Sequence, residues 1–92
     1  MISENSYFEG KVKSLGAELQ GRRFTSGIID TGEFTFGTQT EERMEITHGE
    51  MEVIHPDGKQ GRYRKGDAFS VPANAKFTVK VKAPVAYVCH YK

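Results

Sequence analysis

Along this chain apolar residues recur at alternate positions, the period of a half-buried strand, and no stretch sustains the 3.6-residue period of an amphipathic helix. The alternation is cleanest from Glu33 to Thr38, where Phe34, Phe36 and Thr38 share one face and Glu33, Thr35 and Gly37 the other. Upstream, Arg23 to Ile29 reads as a strand, with Arg23, Thr25 and Ile29 on one parity and Phe24, Ser26 and Ile28 on the other. Downstream, strands are predicted over Arg43–Thr47, Met51–His55, Gly61–Lys65, Ala68–Val71, Phe77–Lys82 and Val85–Tyr91. Turn residues separate them: Asp30-Thr31-Gly32, His48-Gly49, Pro56-Asp57-Gly58 and Ala83-Pro84. Near the N-terminus, Phe8–Leu15 predicts one or two short strands with Gly10 and Gly16 as breaks, and Ala17–Gly21 a strand continuation or a turn, with helix the alternative for which Gly16 and Gly21 leave little length. Met1–Asn5 is polar and expected to fray, and Gln39–Glu42 is expected to be a polar connection. Many short strands with regular turns predict a sandwich or small barrel.

The stretch Gly66–Val79, GDAFSVPANAKFTV, carries the most specific spacing. Pro72 cannot donate to a central ladder and marks a strand end. Asn74 tolerates a left-handed backbone and suits the corner that follows. Glycine, five residues, proline, one residue and asparagine resembles the second sequence motif of cupins. A metal-binding cupin would place histidine three residues after that corner, where this chain has Phe77. In the first cupin motif, two histidines precede a glutamate that stands seven residues before a glycine. Glu42 and Gly49 keep that last spacing, but the histidine positions fall at Phe36 and Thr38, or one residue earlier, with no histidine at either. His48, His55 and His90 lack ligand spacing and read as solvent-facing polar residues. No metal site is expected.

At 92 residues the chain has room for one core, so residues 1–92 are expected to form a single domain. Hydrophobic residues make up 37% and charged residues 27%, as in a folded globular protein. A net charge of +1 gives no reason to expect nucleic acid or an anionic membrane as partner. The one cysteine, Cys89, cannot form an internal disulfide, which fits a reducing compartment. The opening MISENSYFEGK lacks the apolar core of a secretory leader, and no apolar run approaches the roughly 20 residues of a membrane helix. A cytoplasmic protein is expected. Open sheet edges in so small a β-domain predict a homodimer.

Four groups could carry chemistry. Glu42 shares the parity of Met44 and Ile46, which makes it either a solvated charge at a strand entrance or a carboxylate at a pocket mouth. The pairs Arg22-Arg23 and Arg62 with Arg64 offer guanidinium to phosphate, or simply a solvated face. Cys89 and His90 are strand neighbours facing opposite ways, so a catalytic dyad is not expected and Cys89 reads as a buried thiol. Phe34, Phe36, Phe69, Phe77, Tyr87 and Tyr91 fall on inward parities, as core or as a pocket lining.

Five blocks in order, NSYFEGKVKSLG, GEFTFGT, EERMEITHGEMEV, GDAFSVPANAKF and AYVCHYK, together resemble the pyrimidine/purine nucleoside phosphorylase family of small bacterial cupins. The resemblance implies an all-β, single-domain cupin-like β-barrel (jelly roll), dimeric, cytosolic and free of metal and organic cofactor. It also implies phosphate-dependent cleavage of purine and pyrimidine nucleosides to free base and ribose 1-phosphate, with inorganic phosphate as co-substrate. Given that reaction, chemistry suggests roles: Arg23, matching the family's arginine in this strand, and Thr38 for phosphate, Glu42 for the ribose, and a stack of Phe36, Phe77 and Tyr87 for the base. The alternative is a non-enzymatic cupin binding a small sugar or anionic ligand. A metal-dependent cupin oxygenase is disfavoured by the missing ligands.

Overall fold

The computed structural model describes residues 1–92 and is built almost wholly of antiparallel strands. In chain order these are β1 (Ser3–Tyr7), β2 (Val12–Leu19), β3 (Arg22–Ile29), β4 (Gly32–Gly37), β5 (Glu42–His48), β6 (Glu50–Ile54), β7 (Gln60–Arg64), β8 (Ala68–Val71), β9 (Lys76–Val81) and β10 (Val85–Tyr91). A single 3₁₀ turn, Phe8–Gly10, joins β1 to β2. The strands form a six-stranded sheet in the order β1-β2-β3-β10-β5-β8 and a four-stranded sheet in the order β4-β9-β6-β7. The fold is thus the expected cupin-like jelly roll, with two facing sheets rather than one closed ladder. No helix is long and apolar enough to cross a membrane.

The core lies between the sheets and is read directly from the alternation. Val12, Ile29, Val53, Val71, Val79 and Val85 are fully buried, with Phe34, Met44, Ile46, Met51, Phe69, Phe77, Tyr87 and Cys89 packed around them. Valine and isoleucine suit such positions because their branched side chains fill the pleated surface.

Three local expectations are corrected. Ser3–Tyr7 is an edge strand paired with β2 from Ser3↔Gly16 to Tyr7↔Val12, not a frayed tail. Its side chains are polar and mostly exposed, with Asn5 half-buried and donating to Ser14 Oγ (3.3 Å), so no apolar alternation announced it. Gly16 sits inside β2, and the break comes later at Gln20-Gly21, both with positive φ. Glu42 opens β5 instead of lying in a connection, because its backbone pairs with Val71 and Tyr91.

Strand β10 is central to the larger sheet and lies between β3 and β5. Its register with β5 shifts by one residue between Ala86↔His48 and Tyr87↔Ile46, leaving Thr47 as a bulge. That shift sets Ile46 and Met44 opposite Tyr87 and Cys89 on the inner face. Gly27 of β3, opposite Tyr87, makes room for the phenol. A Cβ there would lie 2.6 Å from the Lys13 carbonyl oxygen, 2.8 Å from Ser14 Cβ and 2.8 Å from Tyr87 Oη. The first of these is backbone and cannot yield cheaply. Gly27→Ala is therefore expected to lower stability by about 1–3 kcal/mol, the cost of overpacking. Urea unfolding checks this, and an unchanged midpoint would contradict it.

Candidate functional site

The β3–β10–β5 pairing lays inward side chains in rows. One row runs Thr25, Cys89, Met44 and on to Phe69 of β8. The next, at the sheet end, has Tyr91 opposite Glu42, and one further step of the β3 register sets Arg23 beside Tyr91. The Arg23 guanidinium carbon lies 5.3 Å from the Tyr91 ring centroid, a cation–π contact. Three polar groups far apart in sequence are thus brought to one end of one sheet.

This end opens into a cavity of about 440 Å³ between the two sheets, a usual size for a small-molecule site. Glu42, Tyr87, Cys89 and Tyr91 line it from the larger sheet, Phe36 and Phe77 from the smaller, and Tyr7 and Phe8 from the N-terminal crossing. A second, shallower depression of about 340 Å³ adjoins it, lined by Arg23, Gln39, Thr40 and Lys92. Gly37, Glu42 and Tyr91 line both spaces. One is apolar and aromatic, the other cationic and polar, and the carboxylate stands where they meet.

Glu42 is half-buried, and desolvation raises its pKa above the ordinary carboxylate value. A hydrogen bond from the Cys89 thiol (Sγ–Oε1 3.4 Å) acts in the opposite direction and is the weaker influence. Neither Glu42 nor Arg23 belongs to an ion pair. Burial pushes Tyr87 up to about 12 and raises Tyr91 and Cys89 further still, so all three remain protonated donors at neutral pH. The Tyr91 hydroxyl is tied to Thr25 Oγ1 at 3.3 Å.

The residues singled out from sequence divide in two. Glu42, Phe36, Phe77 and Tyr87 meet in the cavity, and Arg23 lies in the adjoining depression. Thr38 lines neither. Its hydroxyl donates to the Pro72 carbonyl (2.7 Å) and accepts from the Ala75 amide (3.0 Å), while its own amide bonds the Ala75 carbonyl (2.9 Å). A hydroxyl has one proton to give, so Thr38 acts as the clamp of the Pro72–Ala75 corner and has none to offer phosphate. In that corner Asn74 has φ +55°, and the chain leaves it with Phe77 aimed inward. Phe36 and Phe77 stack on each other (centroids 5.6 Å, 29° between planes), so they form one wall and leave no slot for a base between them.

Phe8 was not legible as a site residue. It lies at φ +54°, followed by Glu9 at +58° and Gly10 at +86°, a left-handed run that costs about 1–2 kcal/mol at each non-glycine position. The run swings its ring off the larger sheet to meet Phe34 (5.0 Å) and Phe36 (5.5 Å, edge-on) of the smaller one. The histidines are held more firmly than expected. His55 shares a 2.7 Å hydrogen bond with Tyr63 Oη, and His90 Nε2 lies 2.9 Å from Glu45 Oε1 on the outer face, away from Cys89. Nowhere do three or more histidine, cysteine or carboxylate side chains converge as metal ligands would.

Comparison with known proteins adds to this geometry. Residues 2–91 match the model of the family described as pyrimidine/purine nucleoside phosphorylase. The protein of that name from Photobacterium profundum is 44% identical over 99% of both chains. Its namesake from an Anaeromyxobacter species is 45% identical over 99% of this chain and 88% of its own. Among solved structures, a Vibrio parahaemolyticus protein described as of unknown function is 41% identical and superposes with a TM-score of 0.95, covering 100% of this chain and 99% of that one. A putative ethanolamine utilization protein from Salmonella typhimurium, only 13% identical, has a TM-score of 0.77 over 99% of this chain and 93% of its own, and shares the fold alone.

The raised pKa of Glu42 has a consequence for stability. A carboxyl whose folded pKa exceeds its unfolded value destabilises the native state above the folded pKa, and the penalty vanishes below the unfolded one. Glu42→Gln keeps an acceptor for the Cys89 thiol and removes the charge. Its melting temperature is expected to equal or exceed that of the wild type at pH 7, with the difference shrinking toward pH 4. A variant clearly less stable than wild type at pH 7 would contradict this.

Proposed function

The chain belongs to the pyrimidine/purine nucleoside phosphorylase family, and from that premise we propose that it cleaves nucleosides by phosphorolysis at the junction of the two spaces. The reading rests on one observation: Glu42 and Tyr91 line both the aromatic cavity and the cationic depression. A nucleoside in the first and inorganic phosphate in the second would meet at them.

A phosphate oxygen forms a bond to C1′ of the ribose as the C1′–N bond breaks. That bond's electron pair leaves with the base, which gains a proton to replace the one the attacking hydrogen phosphate gives up. Positive charge grows on the sugar ring and negative charge on the base. Arg23 holds phosphate by charge and by its fork of donors, its ring partner Tyr91 fixing the guanidinium plane. Glu42 accepts from the ribose hydroxyls, and its carboxylate stabilises the cationic sugar in a poorly solvated site where such an interaction is strong. Tyr87, a neutral phenol in the cavity, donates to the departing base. The wall of Phe36 and Phe77 is apolar and carries no hydrogen-bond code, which accommodates purines and pyrimidines alike. None of these roles calls for a metal or organic cofactor. Pairing of two copies through the open sheet edges remains our proposal for the assembly.

Incubation with inosine or uridine, followed by absorbance of the free base, tests the reading. Base release is expected only with phosphate present. Glu42→Gln is expected to lower kcat by about 100-fold or more, as loss of a transition-state charge partner does. Arg23→Ala is expected to raise the KM for phosphate. The acid limb of the wild-type rate profile should lie above pH 4.5, since ionised Glu42 is needed and its pKa is raised, and should be absent in Glu42→Gln. Full activity in both variants would sink the assignment, and no cleavage of any nucleoside by the wild type would favour a non-enzymatic binding protein.

A further inference from the structure

Phe8 has a role that the packing of the core does not account for. Of the six phenylalanines, Phe34, Phe69 and Phe77 are buried and Phe24 and Phe36 half-buried, whereas Phe8 keeps 43% of its surface open. It borders the cavity, and a strained left-handed backbone holds it there. A plug serving only to cover Phe34 could be supplied by a flexible side chain on an ordinary turn. Here the turn between β1 and β2 is instead built so that a rigid ring crosses from one sheet to the other at the cavity mouth. Phe36 and Phe77 have spent a face on each other, and Phe69 is stacked on Tyr63 at 4.5 Å, away from the cavity. Phe8 is the phenylalanine at the cavity with the most open ring surface.

We propose that Phe8 is the base-contacting residue of the site, stacking on the nucleobase and setting the relative affinity for purines and pyrimidines. This rests on the reading of the cavity as a nucleoside site. A purine offers the larger π-face and gains more from the ring than a pyrimidine does. The ribose then points inward to Glu42, and the base lies outermost under the N-terminal crossing, where size is least restricted.

The test compares Phe8→Ala, Phe8→Leu and Phe8→Tyr with the wild type. Dissociation constants for inosine and uridine are measured by calorimetry without phosphate, and kcat, KM and melting temperature are measured alongside. Phe8→Ala and Phe8→Leu should weaken inosine binding roughly 5- to 150-fold, the range for loss of one base–aromatic stack. Uridine should be affected less, the KM for inosine should rise more than that for uridine, and Phe8→Tyr should keep wild-type affinity. Leucine keeps the apolar contact with Phe34 and Phe36 but lacks a flat π-face, so wild-type affinity in Phe8→Leu overturns the proposal. Equal losses for the two nucleosides, or a change confined to melting temperature and kcat, also overturn it. If the wild type binds nucleosides without cleaving them, phosphorolysis fails while Phe8 is still judged on these dissociation constants. If it binds neither nucleoside, both fail.

Discussion

The register of β10 between β3 and β5 is the constraint on which this molecule depends. A one-residue slip in a strand turns every side chain to the other face. Here it would send Tyr87, Cys89 and Tyr91 into solvent and draw Ala86, Val88 and His90 inward. The bulge at Thr47 and the missing side chain at Gly27 fit this alignment, the first by adding a residue to β5, the second by leaving the Tyr87 hydroxyl room that a Cβ would take. From that register follow the row Arg23–Tyr91–Glu42, the contact of thiol with carboxylate, and the two spaces that share one boundary.

The site is costly to the fold at two points. A half-buried carboxylate with only a thiol for a donor is worse off than the same group in water, as its raised pKa records. Two consecutive non-glycine residues in the left-handed region, Phe8 and Glu9, add backbone strain at the opposite side of the cavity. The clamp around Thr38 works in the other direction. It satisfies the polar groups of the Pro72–Ala75 corner and commits the next strand to aim Phe77 inward. Strain and desolvation thus sit on the groups that face the cavity, and well-made hydrogen bonds on the groups that frame it.

How far this could be read from the chain differs by feature. Period-two alternation placed Phe34, Phe36, Met44, Ile46, Phe77 and Tyr87 on inward faces, since parity is a local property. The corner at Pro72–Asn74 was legible because proline and asparagine each restrict the backbone in a known way. β1 was not, because a polar edge strand is held mainly by its backbone ladder, which leaves no apolar alternation to read. The meeting of Arg23, Glu42 and Tyr91 depends on which strands pair, a non-local fact that alternation does not encode. Thr38 misled because its inward parity is real, but its hydroxyl is spent on the corner. Phe8 gave no signal, since nothing in its neighbourhood beyond Gly10 requires a left-handed turn.

The central claim is that nucleoside and phosphate meet at the shared boundary of the two spaces and react there. Phosphorus NMR of the protein with inosine and inorganic phosphate tests it most directly. The account predicts consumption of phosphate and a new ribose 1-phosphate resonance, matched mole for mole by free hypoxanthine. Release of hypoxanthine with free ribose and an unchanged phosphate signal would contradict it.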